Sequence, residues 1–210
     1  MYISDLITSK DAFKPGYLNL ITAGCGTGKS YFVANHLPKL FPDVKPCEIL
    51  FVTSRSLTAE QQAVQYNTVR LLHRDEITPF ARFANGGYWH GEQDQMQIMT
   101  FDKLGIIVEN HKAPGRRILQ NIKIVVIDEC HALLSDRGFM RSLSSVLCAL
   151  HLITCLTDTL FIGLTATPDI LKDDFGFLGL PIRNVLPTPI YAYQAKQLYV
   201  AHRGSLDYFL

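Results

Sequence analysis

The chain has 210 residues, of which 48% are hydrophobic and 19% are charged, so its composition excludes intrinsic disorder and coiled-coil classes. Its 20 Lys and Arg residues nearly balance its 19 Asp and Glu residues, which excludes a domain-wide attraction to nucleic acid or to anionic membranes. A chain of this length is expected to bury one core, and we take residues 1–210 as a single domain.

The expected compartment follows from the cysteines and the apolar segments. Five cysteines without a CxxC pair indicate reduced thiols. The amino terminus carries Asp5, Lys10 and Asp11 where a signal peptide would need an unbroken apolar stretch. The longest stretch without a formal charge, Ser142–Thr157, is shorter than the roughly 20 residues of a membrane helix. We therefore expect a cytoplasmic protein with no membrane partner.

Short apolar runs alternate with longer amphipathic ones along the chain. Runs such as "ILFVT" and "IVVID" are apolar at consecutive positions, as expected for a parallel sheet covered on both faces. The pattern predicts a doubly wound, mainly parallel α/β sheet with helices on both faces. The predicted strands are Tyr17–Thr22, Glu48–Thr53, Met96–Thr100, Lys123–Asp128 and Leu160–Thr165, and the predicted helices are Lys29–Leu40, Leu57–Tyr66, Phe101–Asn110 and Phe139–Cys155.

The alternation loosens in two places, Arg74–Gln95 and Asp169–Pro189. The first contains "NGGYWHGEQDQ", and the second is rich in Gly, Pro and Asp. Turn-forming composition of this kind indicates surface insertions in one domain.

The segment "AGCGTGKS" lies between a predicted strand and a predicted helix. Glycines allow successive backbone N–H groups to point into one concavity, and the helix amino terminus adds partial positive charge. Lys29 can then reach the terminal phosphates of a nucleotide, while the Ser30 hydroxyl can bind Mg²⁺. The alternative is a glycine-rich turn, which the strand before and the helix after disfavour. The predicted phosphate-binding residues are Ala23, Gly24, Cys25, Gly26, Thr27, Gly28, Lys29 and Ser30.

Two acidic residues end the predicted strand in "IKIVVIDECHALL". Asp128 and Glu129 would lie at the carboxyl end of that strand, where ligands of open α/β sheets bind. Asp128 is a candidate for holding Mg²⁺ through its water shell. Glu129 is a candidate for orienting and deprotonating an attacking water. The alternative for both is ordinary helix capping.

Three segments in order carry a resemblance to a known family. "AGCGTGKS", "DECH" at Asp128–His131 and "GLTATP" at Gly163–Pro168 resemble motifs I, II and III of superfamily two helicases of the DEAH/DECH kind. Two weaker segments agree: "LFVTSRSLTAEQQ" resembles motif Ia, and "IMTFDKLG" resembles a stretch after which such proteins contact the nucleic-acid backbone. The resemblance covers about residues 17–170. It implies a RecA-like ATP-binding lobe, ATP and Mg²⁺ as cofactors, and DNA or RNA as the substrate that is moved or unwound. The net charge of +1 leads us to expect weak, sequence-independent binding of single strands at a local surface.

The resemblance also assigns roles to individual residues. Lys29 and Glu129 would act in catalysis, with Ser30 and Asp128 holding the metal. His131, Thr165 and Thr167 would couple the nucleotide site to the nucleic-acid face, although helix capping and strand formation are ordinary alternatives for them. Solvated surface is the alternative for the nucleic-acid candidates, which are Arg55, Thr100 and Lys103.

The sequence also departs from the family pattern. No adenine-reading motif precedes Tyr17, so the base would be held loosely or by stacking on Tyr2, Phe13 or Tyr17. Nothing from Asp169 onward resembles the second RecA-like lobe, and we interpret residues 171–210 as an extension toward that lobe, with a last strand in "TPIYAYQAKQLYVAHRGSL". The chain is therefore expected to be a fragment with weak or no ATP turnover alone. A packaging-type ATPase and a non-catalytic nucleotide-binding regulatory module remain alternatives.

Overall fold

A computed structural model describes residues 2–109, 119–132, 159–168, 171 and 181–191 of the chain. The predicted helix Phe139–Cys155 lies outside these residues, as does the segment after Tyr191.

Within the described residues, seven parallel strands form one sheet in the order β3-β4-β2-β5-β6-β1-β7. This arrangement confirms the predicted doubly wound α/β class, because each parallel neighbour requires a crossover through other elements. The strands are β1 (Leu18–Thr22), β2 (Ile49–Thr53), β3 (Val69–Leu71), β4 (Met96–Thr100), β5 (Ile124–Ile127), β6 (Leu160–Thr165) and β7 (Ile182–Asn184).

Helices cover both faces of the sheet. Within the described ranges they are α1 (Ile3–Leu6), α2 (Lys29–Tyr31), α3 (Leu37–Leu40), α4 (Ser56–Gln65), α5 (Ile77–Ala84) and α6 (Phe101–Glu109), with three short 3₁₀ turns at Lys10–Ala12, Pro46–Glu48 and Arg74–Glu76. No helix among these residues has the length and apolar character needed to cross a membrane.

The core consists of two apolar layers, one on each face of the sheet. Successive strand residues point to opposite faces, so Leu50 and Val52 contribute to one layer while Ile49 and Phe51 contribute to the other. Helices α5 and α6 cover the first layer, and α1, α3 and α4 cover the second. This two-sided burial explains why the strands are apolar at consecutive positions.

The predicted helix Lys29–Leu40 is interrupted by a π-helical turn, Phe32–His36, between α2 and α3. Pro38 lies in the first turn of α3 and has no backbone N–H, so it cannot donate to the carbonyl of Ala34. The wider π turn accommodates this missing hydrogen bond.

The prediction that Arg74–Gln95 and Asp169–Pro189 are surface insertions is wrong in part. The first range contains α5, which buries Phe80 and Phe83 in the core, and the Trp89 ring packs edge-on against Phe80 at 5.3 Å. The second range contains β7, which pairs with β1. Turn-rich composition concealed two short elements whose stability depends on tertiary packing rather than on local pattern.

Candidate nucleotide site

The predicted site residues lie along one edge of the sheet. All seven strands are parallel, so the segments that follow them emerge at the same carboxyl edge. The register places Thr22 at the end of β1 opposite Thr165 of β6, and Thr53 of β2 opposite Thr100 of β4. The fold therefore brings the glycine-rich loop, the "DECH" segment and the "GLTATP" segment to neighbouring positions.

The loop Ala23–Ser30 is held on both sides by backbone hydrogen bonds. The Ala23 N–H donates to the Thr165 carbonyl at 2.8 Å, and the Gly24 N–H donates to the Ile190 carbonyl at 2.7 Å. Gly28 caps α2 with φ of 81°, a left-handed conformation that favours glycine. The buried Thr27 hydroxyl donates to the Gly24 carbonyl at 2.7 Å and closes the loop internally. The loop is thus fixed in shape and leads into a helix amino terminus.

The amino-terminal segment packs directly on this loop. The Ile3 N–H donates to the Thr27 carbonyl at 3.1 Å, and the exposed Tyr2 ring lies 3.2 Å from the position that a Cβ on Gly28 would occupy. Of the three aromatic candidates for base stacking, Phe13 is buried against Phe41, and Tyr17 precedes the amino end of β1, away from the loop. Only Tyr2 among the three lies beside the loop.

Asp128 follows β5 and is almost completely buried. Its N–H donates to the Val52 carbonyl at 2.8 Å, and its Oδ1 accepts from the Glu129 N–H at 3.1 Å. Burial and the neighbouring Glu129 charge raise the pKa of Asp128 to about 6, although Lys29 opposes this rise. The site therefore holds a desolvated carboxylate that a bound cation would stabilise.

Glu129 forms an ion pair that joins the "DECH" segment to the glycine-rich loop. Its Oε1 accepts from Lys29 Nζ at 2.7 Å. Its Oε2 is buried, lies 3.4 Å from His131 Nδ1 and accepts no hydrogen bond within the described part of the chain. The Glu129 backbone has φ of 47°, which is unusual for a residue other than glycine and costs free energy. Glu129 thus presents one buried carboxylate oxygen that accepts no hydrogen bond from the described residues.

The three predicted coupling residues form one hydrogen-bonded group. His131 Nδ1 lies 3.0 Å from the Thr165 hydroxyl, and the Thr167 N–H donates to that hydroxyl at 3.0 Å. Thr165 is buried at the end of β6, whereas Thr167 is exposed. The group connects the "DECH" segment to the "GLTATP" segment.

Ser30 and Asp128 have the oxygen donors that Mg²⁺ prefers, and Mg²⁺ usually keeps several waters beside one or two protein carboxylates. The Ser30 hydroxyl accepts from Gln62 Nε2 at 2.7 Å. Gln62 is a buried residue of α4 that sequence reasoning missed. The sequence feature that could have indicated it is its spacing, three positions after Ala59, which is also buried. The desolvated Asp128 carboxylate and Gln62 Oε1, which is buried and accepts no hydrogen bond from the described residues, both fit a hydrated cation here.

The nucleic-acid candidates differ in availability. Arg55 is exposed at the start of α4, and Thr100 is partly exposed at the end of β4. Lys103 is less available, because its Nζ donates to the Leu72 carbonyl at 2.5 Å beyond β3. The register of β2 and β4 pairs Thr53 with Thr100, so Arg55, two residues after β2, lies at the same carboxyl edge as Thr100.

A comparison with known protein families matches residues 5–170 to ResIII, described as "Type III restriction enzyme, res subunit". This span includes the three motif segments and most of the chain. The chain belongs to the ResIII family. As a ResIII domain it is of the superfamily two helicase type, which confirms the family resemblance predicted from the sequence.

The ResIII domain is also similar to a solved structure, the helicase domain of Pyrococcus furiosus Hef, with a TM-score of 0.56 and 16% sequence identity. The similarity covers 90% of this chain and 36% of the Hef chain. At this identity the likeness shows the fold, a RecA-like α/β lobe. A search of curated proteins finds no match to the chain.

The buried Asp128 of the ResIII domain predicts a pH-dependent stability. Its pKa is raised in the folded state, so its contribution to the free energy of unfolding is greatest below pH about 4 and declines as pH rises through about 6. Asp128→Asn should therefore raise the free energy of unfolding at pH 8 by about 1 to 3 kcal/mol and weaken Mg²⁺-dependent nucleotide binding. Urea unfolding at pH 4 and pH 8 without nucleotide measures the first effect.

The control for this substitution is Asp43→Asn, which removes an exposed carboxylate of the same chain. It should leave the pH dependence of unfolding as in the wild type. A wild-type pH dependence in Asp128→Asn itself would contradict the assignment of a raised pKa to this carboxyl group.

Proposed function

We propose that this ResIII domain is the ATP-binding lobe of an ATP-dependent helicase or translocase, coupling Mg-ATP hydrolysis to the remodelling of DNA or RNA. The observation that carries this proposal is the 2.7 Å pair between Lys29 and Glu129. It joins the glycine-rich loop to the "DECH" segment, and His131 continues the connection to Thr165. The residues expected to bind phosphate, activate water and relay the outcome therefore belong to one connected group.

Each residue has a role that its surroundings support. Lys29 would exchange its contact with Glu129 for the terminal phosphates, as a compact cation on a flexible chain can do. Ser30 and Asp128 would hold Mg²⁺, which neutralises phosphate charge when bound. Glu129, released from Lys29, would orient the attacking water and accept its proton.

The relay from His131 to Thr165 and Thr167 supports coupling of the nucleotide site to a second surface. Thr167 is exposed while Thr165 is buried, so the group runs from the interior to the outside of the domain. A change in the Glu129 contacts would alter the position of His131, 3.4 Å away. A second RecA-like lobe would face this edge and would supply the arginine side chains that complete the ATP site.

We expect single-stranded nucleic acid to bind weakly and without sequence preference at the edge that carries Arg55 and Thr100. The net charge of +1 leaves only local contacts, and each neutralised phosphate contributes roughly 0.7 to the logarithmic salt slope of single-strand binding. Arg55→Ala should reduce the affinity for single strands. It should also lower the salt slope by roughly 0.7, the contribution of one phosphate contact. Titration of labelled single-stranded DNA and RNA at two salt concentrations measures both effects.

The decisive test measures ATP hydrolysis with and without single-stranded nucleic acid. It compares this chain with a longer form that contains two RecA-like lobes. Stimulation by single strands that Arg55→Ala reduces would support a helicase or translocase. Arg82→Ala is the matched control. It removes an exposed arginine from a different helix and changes the net charge by the same amount. Hydrolysis without any response to nucleic acid in the two-lobed form would favour another class of P-loop ATPase.

A further inference from the structure

The side chain of Gln62 is the least expected polar group near the nucleotide site. It lies on the inner face of α4 with only 9% of its surface exposed. Its Nε2 donates to the Ser30 hydroxyl at 2.7 Å. Its Oε1 is buried and accepts no hydrogen bond within the described residues. Leaving a buried acceptor without a donor destabilises a folded protein, so this amide calls for a physical explanation.

The two ends of the amide offer Ser30 two different partners. A serine hydroxyl has one proton to donate and two lone pairs. In the structure the hydroxyl oxygen accepts from Nε2. A Ser30 hydroxyl that bound Mg²⁺ through a lone pair would be polarised and would be a better hydrogen-bond donor. The acceptor suited to it would be Oε1, which a half-turn of the amide would bring to the same place.

We propose that Gln62 is a positioning residue for Ser30, whose amide holds the hydroxyl through Nε2 as in this structure and would hold it through Oε1 when Ser30 donates its proton as a metal ligand. The Oε1 end of the amide accepts no hydrogen bond from the described residues, so it is available for a second partner. The end that faces away from Ser30 can bind a water of the hydrated cation. This inference rests on the proposed function, because it needs Ser30 to be a metal ligand.

The test measures how much Mg²⁺ strengthens the binding of fluorescent ADP. Gln62→Met keeps the length and apolar packing of the side chain and removes both amide groups. Because partners that orient metal ligands contribute about 10- to 100-fold to metal affinity, the variant should lose that much of the Mg²⁺-dependent gain. Its affinity for ADP without Mg²⁺ should be unchanged, and its melting temperature without ligand should not fall.

Three further variants separate positioning from a structural role. Gln62→Glu keeps an acceptor oxygen beside Ser30 and should retain the Mg²⁺-dependent gain. Gln61→Met changes the exposed neighbour on the same helix and should behave as wild type. Adding Gln62→Met to Ser30→Ala should cause no further loss of the gain, since the two residues act through one contact.

Several results would overturn the proposal. An unchanged Mg²⁺-dependent increase in ADP affinity in Gln62→Met would overturn it. An equal loss of ADP affinity with and without Mg²⁺ would also overturn it, because that result indicates a distorted loop. If Gln62→Met does not fold, loss of the gain in Gln62→Glu overturns it instead. If Mg²⁺ has no effect on ADP binding by the wild-type chain, the proposed function and this inference are both overturned. If Mg²⁺ strengthens ADP binding equally in the wild type and in Gln62→Met, this inference alone is overturned.

Discussion

Replacing Lys29 by Ala should weaken nucleotide binding by at least about 100-fold, because it removes charge-assisted hydrogen bonds to phosphate worth about 3 kcal/mol. The Lys29 side chain is 11% exposed and its amine is paired with Glu129, so it already lies at the loop where phosphates would bind. Binding of fluorescent ATP in the presence of Mg²⁺ measures the loss.

The fold should survive this substitution, because Lys29 contributes no apolar packing to the core. Circular dichroism of the variant should match that of the wild type. Lys39→Ala, ten residues along and exposed, is the matched control and should keep full nucleotide affinity. Unchanged affinity in Lys29→Ala would remove the basis for placing the nucleotide at Ala23–Ser30.

Replacing Glu129 by Gln should separate binding from turnover. The amide cannot accept the proton of the attacking water, so hydrolysis should fall about 100- to 10,000-fold, the usual contribution of a general base. Mg-ATP affinity should not fall, because Lys29 loses an anionic competitor for the phosphates. Single-turnover hydrolysis and equilibrium binding, in a two-lobed form that hydrolyses ATP, measure the two quantities.

Glu60→Gln serves as the control for Glu129→Gln, since Glu60 is an exposed carboxylate on α4. Its turnover should equal that of the wild type. If Glu129→Gln hydrolyses ATP at the wild-type rate, another group is the base. If instead it binds Mg-ATP poorly, Glu129 serves to hold the loop through Lys29 rather than to activate water.

The parts of the site that the sequence predicted are those set by local chemistry. The loop was recognisable because glycines, Lys29 and Ser30 occur at a fixed spacing between a strand and a helix. Asp128 and Glu129 were recognisable because a run of buried residues delivers them to the end of β5. In both cases neighbouring residues in the chain are also neighbours in space.

The parts that were missed depend on contacts between distant segments. Helix α4 contains three glutamines, and only its packing against β2, β3 and β4 shows that Gln62 faces inward while Gln61 and Gln65 do not. The contact in which Lys103 Nζ donates to the carbonyl of Leu72 was also not predicted, because β3 is too short for its pattern to be recognised.

The position of β1 in the sheet affects the order in which the site can form during synthesis. This strand is made early, but it pairs with β6 and β7, and its Asn19 amide donates to the carbonyl of Phe161, 142 positions later. Contacts so far apart in sequence form only after a large loop closes. A nascent chain that has not yet released residues 160–184 from the ribosome has the complete glycine-rich loop but lacks the strands that flank it. The ability to hold a nucleotide should therefore arise only after residues 160–184 have left the ribosome, when β2, β4 and β5 have already had time to associate.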